Sequence, residues 1–419
     1  MSRLASRLPA PLARLAARLS VHFAAHRSQG IFFAIVALGI LLPILSRVPP
    51  FGALQSVNAW TNAFTIAVIY SILAIGLNVV IGFAGLLDLG YAAFFALGGY
   101  TYALVASPFL NIHLPFWPVL IIGAIIGAIF GVLLGAPTLR LRGDYLAIVT
   151  LGFGEIVPIT LLNADKFTAG TIGIGGIDKP SIPGIYTFDL TNPWPFYILV
   201  LAMLAVVVIV VYRLEDSKIG RAWEAIREDE LAAESSGINT TISKLQAFAV
   251  GAAIAGFIGV FNAAKLTIVA PDMFGFVVSV STLSAVVLGG MGNVIGVGIG
   301  AFVIYLIQSI FLKQLNILFA QLSIPLLKDI DFLQFQYVLY GAALVIMMLR
   351  RPQGIFPARR RHRTAPKIPR PYPSACHHHP VHAGRKCVGG IIPCAAKSTR
   401  PTESPSAIIG GNKTIQASR

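Results

Sequence analysis

The sequence predicts an all-α fold, a polytopic membrane bundle of about ten transmembrane spans. Three observations lead there. First, 56% of the 419 residues are hydrophobic and only 12% are charged, with a mean hydropathy of +0.77; water-soluble domains are about a quarter charged. Second, a spanning helix needs about 20 mostly apolar residues, and such runs recur at 28–46, 61–82, 86–106, 117–136, 144–163, 195–212, 243–263, 275–292, 295–312 and 333–350. Third, the formal charge of +15 is confined to the ends. Fourteen Lys/Arg from Arg350 onward meet one acid, Glu403, and the first 27 residues carry five Arg and no acid. Basic termini of this kind belong to the cytoplasmic side of a membrane protein, so nucleic acid is not needed to explain them.

These patterns divide the chain into a basic extension (1–27), a transmembrane domain (28–350) and a basic, disordered cytoplasmic tail (351–419). In the extension, Arg3, Arg7, Arg14 and Arg18 fall near one helical face with Leu4, Leu8, Leu12, Leu15 and Leu19 between them. That pattern suits an interfacial helix, interrupted by Pro9 and Pro11. Its Arg-rich, acid-free composition also fits a mitochondrial transit peptide. No cleavable signal peptide is expected, because the apolar run from Ile31 to Leu45 opens a span and lacks a small-residue cleavage site.

An even number of spans puts both termini on one side. Arg140, Arg142, the 213–244 loop and the cluster from Arg350 to Arg363 then share that side with the basic N-terminus. The opposite side holds scattered lysines offset by aspartates, so the first side is cytoplasmic. Small residues mark the spans themselves. Gly123, Gly127, Gly131 and Gly135 recur every four residues, and Gly292, Gly296 and Gly300 repeat the spacing. Glycine stripes let helix backbones approach closely, which indicates a tightly packed bundle and says nothing of its cargo.

Between Asn163 and Trp194 the chain is polar and loop-like. Its scattered glycines do not form a phosphate cradle, and a lid or a contact for an external partner is expected there. The cytoplasmic loop 213–244 differs. It holds seven of the chain's seventeen acidic residues between two apolar runs, as a mostly helical docking surface would.

Catalytic and nucleotide motifs are missing from the sequence. There is no GxxxxGK[ST] loop, since Asn412 separates Gly411 from Lys413, and there is no HExxH, GxSxG or paired CxxC. If the protein's work needs ATP, another chain must supply it. No enzyme activity, cofactor or metal is expected. The tail segment CHHHPVHAGRKC (Cys376 to Cys387) has ligand types suited to Zn²⁺ or Ni²⁺ at a spacing that matches no common structural site. All three cysteines lie in this tail, so no disulfide framework supports the fold. The tail is either a genuine extension or the product of a shifted reading frame.

Two acids stand in apolar surroundings, Glu155 in mid-span and Asp88 near a span boundary. An ionisable group in a membrane is expected to face the bundle interior or an aqueous path. Glu155 is therefore a candidate for a polar pathway or for a counter-charge to a substrate amino group, or else a buried hydrogen-bonded group near a helix break at Gly152, Gly154 and Pro158. Asp88 fits the buried, hydrogen-bonded description better.

Four segments in order, GLNVVIGFAGLLDLGYAAFFALGGYTYAL (76–104), LRGDYLAIVTLGFGEIV (141–157), SKIGRAWEAIREDELAAESSGIN (217–239) and VVLGGMGNVIGVGIGAF (286–302), resemble the LivM-type permeases of branched-chain amino acid ABC importers. The likeness runs through most of 58–356. It implies an all-helical permease in the bacterial inner membrane, paired with a homologous LivH-type permease, two cytoplasmic ATPases and a periplasmic amino-acid-binding protein. It also implies that the loop couples to an ATPase through Arg227, Glu228, Asp229, Glu230, Leu231, Ala232, Ala233 and Gly237. Here LAAESSG (Leu231 to Gly237) corresponds to the importers' EAA motif, with Leu231 where that motif has Glu. Pro158 stands where Arg is expected after GEIV, and Ala169 where a second Gly is common. Close relatives of the family import urea or short amides, although LLDLGY looks more like the amino-acid branch. Without the resemblance, the competing class is a stand-alone ion-coupled transporter with Glu155 as its proton site.

Overall fold

The computed structural model describes residues 56–138, 144–182, 186–314, 335–351 and 354–356. Helix α1 (Val57–Asn78) starts at Ser56, whose hydroxyl accepts from the Ala59 N–H, and it continues as a π turn over Val79–Phe83. Helices α2 (Tyr91–Val105), α3 (Phe116–Thr138) and α4 (Asp144–Asn163) follow, then the single turn α5 (Asp165–Thr168). Three two-residue strands come next, β1 (Ile174–Gly175), β2 (Ser181–Ile182) and β3 (Tyr186–Thr187). Helix α6 (Trp194–Glu215) leads into the short helices α7 (Lys218–Glu228) and α8 (Glu230–Ser235), and then into α9 (Thr240–Leu266). Strand β4 (Ile268–Val269), a 3-10 turn (Pro271–Phe274), α10 (Phe276–Gly289), α11 (Val294–Leu306) with a π turn to Leu312, and α12 (Phe335–Arg350) complete the described elements.

Among the described residues, seven helical segments are long and apolar enough to cross a membrane. The expected span at 86–106 forms a shorter helix of 15 residues. Its first turn is lost to a partly buried loop, with Asp88 inside it, that ends at Gly90, the residue before α2. The expected span at 333–350 forms a helix of 16 residues, and the expected span at 28–46 lies outside the described residues, as do the basic extension and the Cys376–Cys387 segment.

Helices α1 and α9 occupy the centre. The span built on α1 is 89% buried within the chain and α9 is 72% buried. Helix α9 packs on α1, α2 and α3; α6 packs on α1, α9 and α11; α4 packs on α2, α3 and α10. The expected glycine stripe is the α3–α9 contact. A side chain at Gly127 would come within 2.4 Å of the Ala252 carbonyl oxygen, and one at Gly123 within 2.3 Å of Val260. In lipid, where apolar surface gains little by leaving its solvent, such close backbone packing is what holds helices together.

The loops gather into two clusters at opposite ends of these helices. At one end, the Gly292 N–H donates to Asn78 Oδ1 (2.9 Å), Arg227 donates to the Gly82 carbonyl, and the Ile355 N–H donates to the Leu288 carbonyl (3.0 Å). At the other, β1 pairs antiparallel with β4 through Ile174↔Val269, and β2 pairs with β3. The Tyr102 hydroxyl donates there to the Asp178 carbonyl (2.8 Å), and His113 Nδ1 meets Asp178 Oδ2 at 2.6 Å. The described residues of the polar 163–194 segment form a cap carrying α5 and three small strands, with Ile174, Ile177 and Phe188 among its buried side chains.

Candidate functional site

The charged stretch between α6 and α9 folds as two short helices because its local signals are complete. Ser217 caps α7, its hydroxyl accepting from the N–H groups of Ile219 (3.1 Å) and Gly220 (3.3 Å). Helix α7 is strongly amphipathic: Gly220, Trp223 and Ile226 are buried, while Arg221, Glu224 and Glu228 face outward. Trp223 is fully buried, and its indole N–H donates to the Ser243 carbonyl at 2.7 Å. That single side chain locks the loop onto the start of α9.

Asp229 ends α7 and begins α8. Its Oδ1 accepts from the N–H groups of Leu231 (2.9 Å) and Ala232 (3.1 Å). Helix α8 closes in a Schellman arrangement, with the Ile238 N–H donating to the Ala233 carbonyl (3.1 Å) and the Gly237 N–H to the Glu234 carbonyl (2.9 Å). Gly237 sits at φ +84°, where an L side chain is strained. Asn239 then caps α9 through the Ile242 N–H (3.0 Å).

Two ties fix this unit to the bundle. Glu230 Oε1 meets Lys244 Nζ at 2.6 Å, and that lysine side chain is only 6% exposed. Arg227 Nη1 donates to the Gly82 carbonyl, and its stem lies over Gly85, which adopts φ +72°. The Glu230–Lys244 pair, with its lysine buried and its glutamate side chain 32% exposed, is screened less than a fully exposed pair, whereas Arg227 remains exposed.

The predicted docking residues therefore divide by task. Arg227 and Glu230 hold the loop in place, and Ala233 is buried beneath α8. Glu228, Asp229, Leu231, Ala232 and Gly237 are exposed, with Leu231 at 62%. The alanine pair expected to face a partner together is split, because successive helical positions point about 100° apart. Trp223, Lys244 and the Gly82–Gly85 turn complete the site, beyond the residues that the motif in the loop points to. A lone Trp in an otherwise charged helix is the signal for it that the sequence offers.

Asp88 and Glu155 lie on adjoining backbones with opposite orientations. Asp88 is buried, and its Oδ1 accepts from the Gly90 N–H (2.9 Å) while Oδ2 has no hydrogen-bond partner. The neighbouring Leu89 N–H donates to Thr150 Oγ1 of α4 (3.1 Å). Gly154 packs against Gly90 so closely that a side chain would come within 2.8 Å of the Gly90 Cα. The next residue, Glu155, turns away from that contact. It is exposed on the surface of the chain and not in the bundle interior where a membrane carboxylate is expected, on a helix that is only 28% buried. Among the described residues, no group of His, Cys, Asp or Glu could hold a metal ion.

Comparison with known proteins agrees with this architecture. The family described as the permease component of the branched-chain amino acid transport system matches residues 60–348. The high-affinity branched-chain amino acid transport permease LivM of Salmonella typhimurium is 40% identical over 318 residues, covering 71% of this chain and 69% of that protein. The ribose import permease RbsC of Haemophilus influenzae is 30% identical over 284 residues (64% and 81%), and LivH of Salmonella typhimurium is 23% identical over 314 (70% and 93%). No solved structure matches. A family match across more than half the chain, with 40% identity to LivM over 71% of it, makes this multi-pass membrane protein a LivM-type member of the branched-chain amino acid transport permease family.

Proposed function

We propose that this chain is the permease subunit of an ATP-driven importer of branched-chain or related amino acids, and that the exposed face of α8 docks an ATPase. The observation that carries the proposal is the preorganisation of α8. Asp229 caps it, Gly237 closes it, and Arg227 and Glu230 tie it to the bundle, while Leu231 and Ala232 are left uncovered. A rigid short helix presenting small and apolar side chains suits a helix-in-groove contact. Because the sequence has no Walker loop, the ATP must be bound by separate subunits. A homologous LivH-type permease, two ATPases and an external amino-acid-binding protein complete the assembly. The α7–α8 side and both termini are cytoplasmic in a bacterial inner membrane, and the β1–β4 cap faces the binding protein. The chain acts as a transporter component without enzymatic chemistry of its own, organised as extension 1–27, permease 28–350 and tail 351–419. A ribose import permease is also similar to this chain, so the amino-acid assignment rests on the LivM relatives.

Glu155 supports one further element of this reading. A charged side chain at mid-span costs about 2.5–3.5 kcal/mol on insertion scales, so the exposed face of α4 is better covered by the second permease than by lipid. Glu155 then lies at the seam between the two permeases, lining a polar path. Asp88, sealed in its loop, serves the fold.

Reconstituted uptake tests both statements. The chain alone, under an ion gradient, should show no uptake. Adding the second permease, the ATPases, the binding protein and ATP should restore it. Glu155→Gln should lower that uptake by about tenfold or more, a loss near 1.4 kcal/mol. Unchanged kinetics would remove Glu155 from the path, and gradient-driven uptake by the single chain would favour a stand-alone transporter.

A further inference from the structure

At the end of α9 remote from α7 and α8 lies a cleft of about 410 Å³ between the starts of α1 and α6 and the last turn of α9. That volume is within the roughly 300–1,000 Å³ usual for small-molecule sites. The cleft is lined by Asn58, Asn62, Thr191 and Lys265, with Ile66 and Phe196 forming an apolar wall. Lys265 is 8% exposed, and among the described residues its ammonium has neither a hydrogen bond nor an ion pair. Asn58 and Asn62 are exposed with their amides uncommitted. The nearby acid, Asp189, is already engaged: the Thr191 hydroxyl and Lys179 (3.2 Å) hold its carboxyl below the usual carboxylate range.

The Lys265 ammonium opens into the cleft, and among the described residues no carboxylate stands against it. The cleft thus presents a cation with amide donors beside it, a set of groups that suits an anion. The setting of the cleft identifies the kind. Trp194 opens α6 next to the lining residue Pro193 and is only half-buried, with Tyr197 packed edge-on beneath it. A tryptophan at the end of a spanning helix is characteristic of the lipid-headgroup level. The cleft is also flanked by α6, which packs on α1, α9 and α11, whereas α4 with Glu155 packs on α2, α3 and α10. Lys265 is thus separated from α8 by most of the length of α9, and it does not share the α4 face.

We propose that this cleft binds the phosphate of an anionic membrane phospholipid, with Lys265 as its counter-charge, Asn62 as a hydrogen-bond donor and the Ile66–Phe196 wall against the start of the acyl region. The site is independent of ATPase docking and of the amino-acid cargo.

The test is native mass spectrometry of the full chain, transferred from nanodiscs of phosphatidylglycerol or of phosphatidylcholine. Wild type should retain one phosphatidylglycerol more tightly than any phosphatidylcholine. Lys265→Gln should weaken that retention by about tenfold, as loss of a charge-assisted hydrogen bond does, whereas Lys265→Arg should keep most of it. Asn62→Leu, on an exposed helix face, should weaken retention in the same direction, and it provides a second variant if Lys265→Gln fails to fold. Equal retention in wild type and both variants would overturn the proposal, as would equal retention of the two lipids. Displacement of the lipid by inorganic phosphate would reassign the cleft to a free anion, and displacement by free leucine would reassign it to the cargo; either overturns the lipid assignment.

Discussion

Gly237→Trp should abolish ATP-driven uptake while leaving the chain inserted and folded. Two effects coincide at this position. A non-glycine residue at φ +84° costs about 1–2 kcal/mol, a local strain that a bundle of this size absorbs. A side chain there would also project into open space, because no atom lies within 4 Å of where its Cβ would stand. On the docking proposed above, that space is where the ATPase would sit. Gly237→Asn separates the two effects, since asparagine tolerates the left-handed conformation. It should retain normal folding and a measurable fraction of uptake. Wild-type uptake by Gly237→Trp would place the ATPase elsewhere.

Gly256→Leu should instead prevent the fold from forming. Gly256 stands where α9 meets both α2 and α3. A side chain would approach the Gly123 carbonyl oxygen to 2.3 Å, and on the α2 side a Cβ at Gly98 would come within 2.1 Å of the Gly256 carbonyl oxygen. The obstacles are backbone atoms, which no rotamer change can move. Overpacking typically costs about 1–3 kcal/mol and occasionally more, and here two helices must separate, so the loss should reach or exceed the upper figure. The measurement is recovery of monodisperse protein in mild detergent, together with its thermal transition. Gly152→Leu is the control. It lies on α4 with nothing within 4 Å, and it should leave the isolated chain's stability within about 0.5 kcal/mol of wild type.

What the sequence made readable follows from periodicity and composition. Apolar runs located the helices, because twenty such residues have few other uses. The glycine spacing announced close packing, and α3 against α9 supplies it. The loop's capping residues, Ser217, Asp229, Asn239 and Gly237, lie where standard helix signals place them. What the sequence left unread depends on direction. A lone carboxylate in an apolar run does not state which face it occupies. Glu155 turns outward because Gly154 must meet Gly90, a contact between residues 64 positions apart. The span at 86–106 begins late for a similar reason, its first turn being used by the partly buried loop around Asp88. The roles of Lys244 and Gly82 in anchoring the loop, and the cleft around Lys265, arise only when distant helix ends are brought together.

The claim at the centre of this account is that α8 faces an ATPase, and Leu231 reports on it most directly. A photo-activated crosslinking residue placed at Leu231, which is 62% exposed and helps to anchor nothing, should capture the ATPase subunit in membranes expressing the whole transporter. The same probe at Ile148, exposed on α4, should capture the second permease. Capture of the ATPase at 231 and not at 148 is the predicted result. Failure of the 231 probe to capture the ATPase while uptake remains intact would contradict the account.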